Sequence, residues 1–334
     1  MKICGQCVLP ETLPSMKLDE HGVCNYCRTF KGVEHLDQQR DDYKKKFESL
    51  LTSHASHDPG SYDIIVAYSG GKDSSVTLDV LKNQYGLRVL AVTFDHGFVS
   101  PIAIENIRRV VETLGVDHIM FKPDFQLMKQ VFRYSLENEF HPAKALERAS
   151  SICNSCMGMV KFVTLRLAIE KDVPIIGYGW SPGQAPLQSA ILKNIPAFIA
   201  KAQQLFLGPL EKAVGPAMRA YFLEDKHFAV GAQKGFPYNV NILAFLHYNE
   251  EEIYARIKTL GWELPRDTDP NSTNCLLNAF ANEAHLTKHG YHPYAMELAE
   301  LVREGVMSRD EALKRLSKSS NPIVVDDIKV RLEM

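Results

Sequence analysis

The sequence lacks an excess of charge, a long apolar run and any internal repeat. Its 38 Lys and Arg residues nearly balance 40 Asp and Glu residues, giving a formal net charge of −2. It therefore has no global basic field of the kind that dominates nucleic-acid binding, which leaves only a local basic patch if RNA is a substrate. No apolar run approaches the roughly 20 residues of a membrane span, and the first residues lack a signal-peptide core. We expect a cytoplasmic protein that does not contact a membrane.

Two familiar phosphate-binding signatures are also missing. A Walker A loop needs a glycine five residues before the Gly-Lys glycine, where Val66 stands, and the Rossmann pattern of three glycines fails as well. The chain has "YDIIVAYSGGKDSS" instead, a short buried strand that leads through two glycines into a helix. Gly70 and Gly71 let the backbone approach a phosphate, and the N–H groups of the loop and of the helix N-terminus form an anion-binding nest.

Seven cysteines are present, and four of them form a pattern typical of zinc. Each Cys-x-x-Cys pair places two thiolates on one tight turn, and two such pairs can complete a tetrahedral Zn²⁺ site. A disulfide framework is not expected in a cytosolic protein, because the compartment is reducing. The four predicted zinc ligands, which define an N-terminal knuckle over residues 1–35, are Cys4, Cys7, Cys24 and Cys27.

The remaining cysteines are a second pair, Cys153 and Cys156, and the distant Cys275. Three thiolates are too few for a closed zinc site, but they suit a metal with one open position or an iron–sulfur cluster with one iron not bound by protein. A redox or nucleophilic pair beside an unrelated cysteine, and simple burial of all three, are the alternatives that the residues leave open.

Strands alternate with amphipathic helices between residues 61 and 185, which predicts a doubly wound parallel sheet in an α/β domain. The predicted strands are "YDIIVAYS", "LRVLAVTFD", "VDHIMFKPD" and "VPIIGYGW". Residues 36–60 form a charged helical linker between the knuckle and this domain. Residues 186–334 are helix-rich, with proline breaks and no clear strand alternation, and we expect this helical part to bind substrate or a partner.

The strand, "SGGKDS" and helix together resemble the pyrophosphate (PP) loop of the N-type ATP pyrophosphatases, a superfamily of adenylating enzymes. The resemblance implies that ATP and Mg²⁺ bind at the carboxyl edge of the sheet and that ATP is cut between its α and β phosphates. It implies further that Lys72 and Asp73 are catalytic and that Asp95 and Gly97 lie beside adenosine, with Gly177 and Gly179 closing the pocket. The loop residues that would hold pyrophosphate and Mg²⁺ are Ser69, Gly70, Gly71, Lys72, Asp73 and Ser74.

Three separated segments are also similar to the N-acetyl sugar amidotransferase family. They are the knuckle, "CNSCMGMVKFVTLRLAIEKDVPIIGYGW" and "HGYHPYAMELAELVREGVMSRDEAL". This similarity implies that a nitrogen nucleophile displaces AMP from an adenylated amide oxygen, with a nucleotide sugar as a candidate acceptor. Because no glutaminase nucleophile pair stands out, a glutaminase subunit would have to supply ammonia. Nitrogen transfer is our leading interpretation at this point.

The pattern of Cys153, Cys156 and Cys275 instead resembles iron–sulfur tRNA thiolases of the same superfamily. That resemblance implies a [4Fe–4S] cluster on these three thiolates, a sulfur donor as partner, and thiolation of tRNA or of a small molecule. A non-catalytic nucleotide-binding scaffold is the third alternative, and a homodimer stays open. Further candidate residues are His96, which follows a predicted strand, His289 and His292 as acid–base groups, and Trp180 as a stacking surface.

Overall fold

A six-stranded sheet forms the centre of the computed structural model, which describes residues 2–54, 58 and 60–334. The strands are β1 (Ile64–Ala67), β2 (Val89–Phe94), β3 (Asp117–Phe121), β4 (Ile175–Tyr178), β5 (Ile191–Lys193) and β6 (Tyr238–Val240). Their order is β3-β2-β1-β4-β6-β5, and every neighbouring pair is parallel except β5 with β6. The predicted doubly wound α/β fold is confirmed.

Fourteen α-helices accompany the strands within the described residues. Those before β4 are α1 (Asn25–Thr29), α2 (Val33–Ser53), α3 (Lys72–Asp79), α4 (Pro101–Leu114), α5 (Phe125–Glu137), α6 (Ala143–Leu146) and α7 (Ser151–Glu170). Those after it are α8 (Pro196–Val214), α9 (Asp225–Lys234), α10 (Glu250–Lys258), α11 (Leu277–His289), α12 (Ala295–Arg303), α13 (Arg309–Ser317) and α14 (Pro322–Leu332). The Ser308 hydroxyl caps α13 by accepting from the Glu311 N–H at 3.2 Å.

Both faces of the sheet are buried, as the continuous apolar runs of its strands predict. Ile64 and Val66 point into a core that includes residues of α2, α3, α4, α10 and α12, together with three of the knuckle cysteines. Ile65, between them, points into the opposite core, to which α5, α7, α8, α11 and α14 contribute. This alternation follows from the two-residue period of a strand.

Two elements differ from the sequence prediction. The short strands β5 and β6 come from the region beyond residue 185 and extend the sheet at the β4 side, although three-residue strands leave little periodicity to detect. Helix α7 begins at Ser151, so it includes Cys153 and Cys156 in its first turns.

Helix α7 is long and apolar enough to pass a length-and-composition test for a membrane span, although we expect no such span from the sequence. Half of that stretch is buried within the fold, and the helix packs against α5, α9, α11, β1 and β4. These contacts are those of a core helix of the α/β sandwich.

The knuckle is fastened to the C-terminal helices and to the segment before α7. Arg309, the first residue of α13, donates from Nε to the Cys7 carbonyl at 2.9 Å and from Nη2 to the Cys4 carbonyl at 3.1 Å. The Ser15 hydroxyl donates to Glu147 Oε2 at 2.8 Å. These contacts place one side of the knuckle next to the segment that carries residues 145–150.

Candidate functional site

The PP loop joins β1 to α3 in a tight turn that needs glycine at position 70. Gly70 has φ +76°, and a Cβ there would lie 2.6 Å from the Ala103 carbonyl oxygen. The Ser74 hydroxyl accepts from the Ser69 N–H at 3.3 Å and donates to the Gly71 carbonyl at 3.1 Å, so it braces the turn from within. The loop therefore opens the N-terminus of α3 at the carboxyl edge of the sheet, where α/β folds bind ligands.

Two residues from distant segments support the loop from outside. Trp262 Nε1 donates to the Gly70 carbonyl at 2.9 Å, and Thr273 Oγ1 accepts from the Lys72 N–H at 2.9 Å. Sequence reasoning missed both, since neither lies in a recognisable motif and both contacts span about two hundred residues of chain. Their effect is to fix loop carbonyl and amide groups that would otherwise be free to rotate.

Lys72 is held below the loop in a charged cluster. Its Nζ donates to Tyr248 Oη at 2.5 Å and to Glu250 Oε1 at 2.7 Å, and it lies 3.2 Å from Asp73 Oδ1. Burial opposes its charge, but the Asp73 and Glu250 carboxylates raise the pKa of Lys72. Burial likewise opposes the charge on Glu250, yet a hydrogen bond from Arg315 and the nearby Lys72 ammonium lower the pKa of Glu250 to about 2. Lys72 and Glu250 are therefore both ionised near neutral pH, whereas Tyr248, whose pKa is raised by burial, is neutral.

The other residues that were expected beside ATP differ in what they contact. Gly179 follows β4 and packs on α3 so closely that a Cβ would lie 2.5 Å from the Ser74 Cα, whereas Gly177 lies within the strand against Ile64 and Leu81. The Asp95 carboxylate accepts from the Gly97 N–H at 3.0 Å and pairs with Lys122. Gly97 also has a packing reason for its identity, because a Cβ there would lie 2.3 Å from the Phe125 ring. The expected roles of Gly97 beside adenosine and of Gly177 in closing the pocket stay predictions.

Cys153, Cys156 and Cys275 come together at the same edge of the sheet. The first two lie in the opening turns of α7, where Ser150 caps the helix by accepting from the Cys153 N–H at 3.1 Å. Cys275 lies just before α11 and pairs its backbone with Val99, which follows β2. Burial raises the pKa of all three thiols, that of Cys275 to about 12, so they are neutral unless a cation holds them as thiolates.

Polar side chains surround these sulfurs. His96 Nδ1 accepts from the Phe98 N–H at 3.2 Å, which leaves the ring proton on Nε2, 3.7 Å from Cys275 Sγ. Burial lowers the pKa of His96 to about 4, so this imidazole is neutral and donates to the sulfur. Asn278 Nδ2 donates to Cys153 Sγ at 3.6 Å. The placement of His96 at the site agrees with its position after a strand, whereas no sequence signal pointed to Asn278.

One cavity of about 400 Å³ unites the loop and the three thiols, and we refer to it as the cysteine cavity. Its wall includes Glu297, Lys161 and Trp180. The Lys161 ammonium lies 4.7 Å from the centre of the Trp180 ring, and burial lowers the pKa of Lys161. Trp180 is stacked on Tyr178, which makes it part of the wall. The residues that line the cavity include Ser69, Ser74, Arg148, Cys153, Cys156, Lys161, Gly179, Trp180, Cys275, Asn278 and Glu297.

The two C-terminal histidines lie outside this cavity. His289 Nε2 is 3.1 Å from Glu139 Oε1, and His292 Nδ1 accepts from the Tyr294 N–H at 3.2 Å. The first contact joins the end of α11 to the segment after α5, and the second lies within the turn after α11. Nothing in their geometry places them near the PP loop.

The four knuckle cysteines form a compact group that fits a tetrahedral metal. Their sulfur atoms all lie within 4.8 Å of one another, with Cys4 to Cys27 at 3.9 Å and Cys7 to Cys24 at 3.7 Å. A tetrahedron of sulfurs about 2.3 Å from Zn²⁺ has edges of about 3.8 Å. The knuckle is thus a preformed four-thiol site that precedes the PP loop in the sequence and is separate from the cysteine cavity.

Comparisons with known proteins agree with this geometry. The family model for queuosine biosynthesis protein QueC matches residues 63–166. An uncharacterised protein of Methanocaldococcus jannaschii, MJ1599, is 26% identical over 84% of this chain and 80% of its own length. The tRNA-specific 2-thiouridylase MnmA of Agrobacterium fabrum is 36% identical over 32% of this chain and 28% of its own length. The chain thus spans less than a third of that relative.

Among solved structures, the U34-tRNA thiolase NcsA from Methanococcus maripaludis with its [4Fe-4S] cluster has a TM-score of 0.35 at 16% identity, covering 100% of this chain and 99% of its own. The match to the QueC model spans β1, the PP loop and most of α7, which supply part of the wall of the cysteine cavity. Residues 63–166 therefore form a domain similar to those of the PP-loop (N-type) ATP pyrophosphatases.

Proposed function

We propose that this chain is an ATP-dependent sulfur transferase, in which Cys153, Cys156 and Cys275 hold an iron–sulfur cluster beside the PP loop. The observation that carries the proposal is the single cavity lined by all three thiols and by Ser69 and Ser74 of the loop. The similarity of about a third of the chain to 2-thiouridylases supports sulfur chemistry. Sulfur transfer therefore replaces nitrogen transfer, which led on sequence similarity alone.

The three thiols suit a cluster better than a single ion. Among the described residues they do not form a group with ligand atoms as close together as the knuckle cysteines do. A cubane binds each cysteine to a different iron atom, so its ligands stand further apart than those of one Zn²⁺. When bound through three cysteines, such a cluster leaves one iron free to carry the sulfur to be transferred. His96 and Asn278 would donate to the ligand sulfurs, a contact that tunes such centres.

The chain's own residues define the rest of the reaction. The loop amides and the α3 N-terminus bind the β and γ phosphates, and Asp73 is the candidate ligand of Mg²⁺. The acceptor's carbonyl or amide oxygen attacks the α phosphorus of ATP, and the bond to the β-phosphate oxygen breaks to release pyrophosphate. A hydrosulfide then attacks the adenylated carbon, AMP leaves with the former acceptor oxygen, and the acceptor keeps a carbon–sulfur bond. Two electrons accompany each leaving group, so no oxidant or reductant is needed.

The metal of the knuckle would be Zn²⁺, because four thiolates at tetrahedral spacing form a closed structural site with no open position. We place the protein in the cytoplasm, where a sulfur donor supplies the hydrosulfide. A glutaminase partner is expected only if the reaction is nitrogen transfer. The formal charge of −2 favours a small acceptor over tRNA.

The test is metal and acid-labile sulfide analysis of protein purified without oxygen, together with its optical spectrum. We expect about four iron and about one zinc per chain. Cys275→Ala should lose iron and retain zinc, whereas Arg309→Ala, which loosens only the knuckle, should retain iron. Zinc without iron in the wild-type protein under reducing conditions would refute sulfur transfer through a cluster. Ammonia-dependent formation of AMP would then be the reaction to assay.

A further inference from the structure

A second cavity, of about 500 Å³, lies between the zinc knuckle and the C-terminal helices, and we call it the knuckle cavity. Its walls come from α1 and the start of α2, from the loop at residues 182–188, and from the end of α12. Neither the loop glycines nor the three site cysteines line it, so it is outside the site described above. Its volume is within the range of small-molecule sites, about 300–1,000 Å³.

Arg148 lines both cavities. It follows α6 and precedes the Ser150 cap of α7, and its Nη1 donates to the Gly183 carbonyl at 2.5 Å. That bond fixes the guanidinium at the wall between the cavities, next to Ala185, which also lines both. A ligand that extends from one cavity to the other must therefore pass this cation.

The charges around the knuckle cavity leave it positive. Its two carboxylates already have partners, since Glu300 accepts from Arg303 at 2.8 Å and Glu304 from Arg40 at 2.6 Å. Arg148 and Lys31 have no carboxylate partner among the residues that the structure describes. A guanidinium with one hydrogen bond used has four donors left, in a fork that matches phosphate oxygens. An anionic group at this position would supply the missing partner.

The rest of the wall suits a ring. Tyr26, Phe30 and Leu187 present apolar and aromatic surface beside these cations. The Tyr26 hydroxyl is 2.6 Å from that of Ser15, so its hydrogen bond is satisfied and its ring remains as contact surface. Apolar contact next to a bidentate cation is the chemistry that binds a phosphorylated ring compound such as a nucleoside diphosphate.

We propose that the knuckle cavity binds the phosphate-bearing part of a small acceptor through Arg148 and Lys31, while the group to be modified extends past Arg148 into the cysteine cavity. Only the extension of the acceptor into the cysteine cavity rests on the proposed function. It assigns the acceptor to the class of phosphorylated, ring-containing small molecules. It also gives the zinc knuckle a role in binding substrate, since α1 forms part of the cavity wall.

Calorimetric titration tests the site without any turnover. The protein is first saturated with α,β-methylene-ATP, which occupies the PP loop and is not cut, and is then titrated with inorganic pyrophosphate, UDP, CDP and GDP. We expect saturable binding of at least one of them. Arg148→Ala should weaken it at least tenfold, which is the effect of losing a hydrogen bond to a charged group. Lys31→Ala should weaken binding as well. Because Lys31 is exposed, this substitution should leave the folded structure intact.

Arg266→Ala is the matched control, because Arg266 is exposed and lies outside both cavities. Absence of binding by all four probes would overturn the inference, and so would affinities unchanged by both Arg148→Ala and Lys31→Ala. If tRNA binds to the saturated protein while the four small anions do not, the acceptor is RNA and our assignment is wrong. The titration is repeated on Cys275→Ala, since a failure of the cluster proposal leaves binding in the knuckle cavity unaffected.

Discussion

Replacing Glu297 with Gln should reduce the dependence of stability on pH. Glu297, on α12, lines the cysteine cavity, and the Ser181 hydroxyl donates to its Oε1. Burial raises the pKa of Glu297 to about 7, although the hydrogen bond from Ser181 acts in the opposite direction. Gln keeps the acceptor oxygen at this position and removes the charge, so the substitution tests the charge alone.

The sign and the size of the effect follow from linkage. Because folding raises this pKa from 4.5 to about 7, the folded chain binds the proton more tightly. The resulting stabilisation is complete below pH 4.5 and is lost as the pH rises through 7. One pKa unit is worth about 1.4 kcal/mol, so the upper limit is about 3 kcal/mol. Solvent reaches the carboxyl through the cavity, so we expect about 1–2 kcal/mol after screening.

Urea unfolding of both proteins at pH 5, 6, 7 and 8 measures this difference. We expect Glu297→Gln to approach the wild-type free energy of unfolding at pH 5 and to exceed it by about 1–2 kcal/mol at pH 8. The histidines titrate in both proteins and cancel in the difference. Glu20→Gln, at a surface position 86% exposed, should show no such trend. A difference between Glu297→Gln and wild type that stays constant from pH 5 to pH 8 would refute the raised pKa.

Two further substitutions test the surroundings of the PP loop. Gly179→Ala should lower the free energy of unfolding by about 1–3 kcal/mol and weaken ATP binding, because the new Cβ would lie 2.5 Å from the Ser74 backbone. Gly208→Ala is the control, since Gly208 lies within α8 with open space around it, and this variant should be as stable as wild type or more stable. Equal unfolding midpoints for the two alanine variants would contradict the close approach of β4 to α3. Glu250→Gln should lower the free energy of unfolding by about 2 kcal/mol, because it removes the carboxylate that pairs with the buried Lys72 ammonium and with Arg315. Glu251→Gln, on the exposed side of α10, should leave the free energy of unfolding unchanged. A Glu250→Gln midpoint in urea that equals that of Glu251→Gln would show that the cluster contributes nothing to stability.

Local patterns predicted the parts of this molecule that depend on neighbouring residues. The strand–loop–helix around Gly70 follows from an apolar run, two glycines and a helix start, and the spacing of the knuckle cysteines is set by tight turns. The contacts of Trp262 with Gly70 and of Tyr248 with Lys72 join segments far apart in the chain, and no periodicity records such pairs. Strands β5 and β6 were missed for a different reason, since three residues are too few to show a period of two.

The meeting of Cys153 and Cys156 with the PP loop follows from the topology. Helix α7 leads into β4, which is parallel to β1 and adjacent to it. A helix in such a connection runs antiparallel to the strands, so its N-terminus lies at the carboxyl edge of the sheet, where β1 delivers the PP loop. Cysteines in the opening turns of α7 therefore lie at the edge of the sheet that carries the nucleotide site. Cys275 reaches the same edge because its backbone pairs with Val99, just beyond the carboxyl end of β2. The position of the third candidate ligand thus depends on a long-range backbone pairing, which is the kind of contact that is hardest to predict from a single sequence.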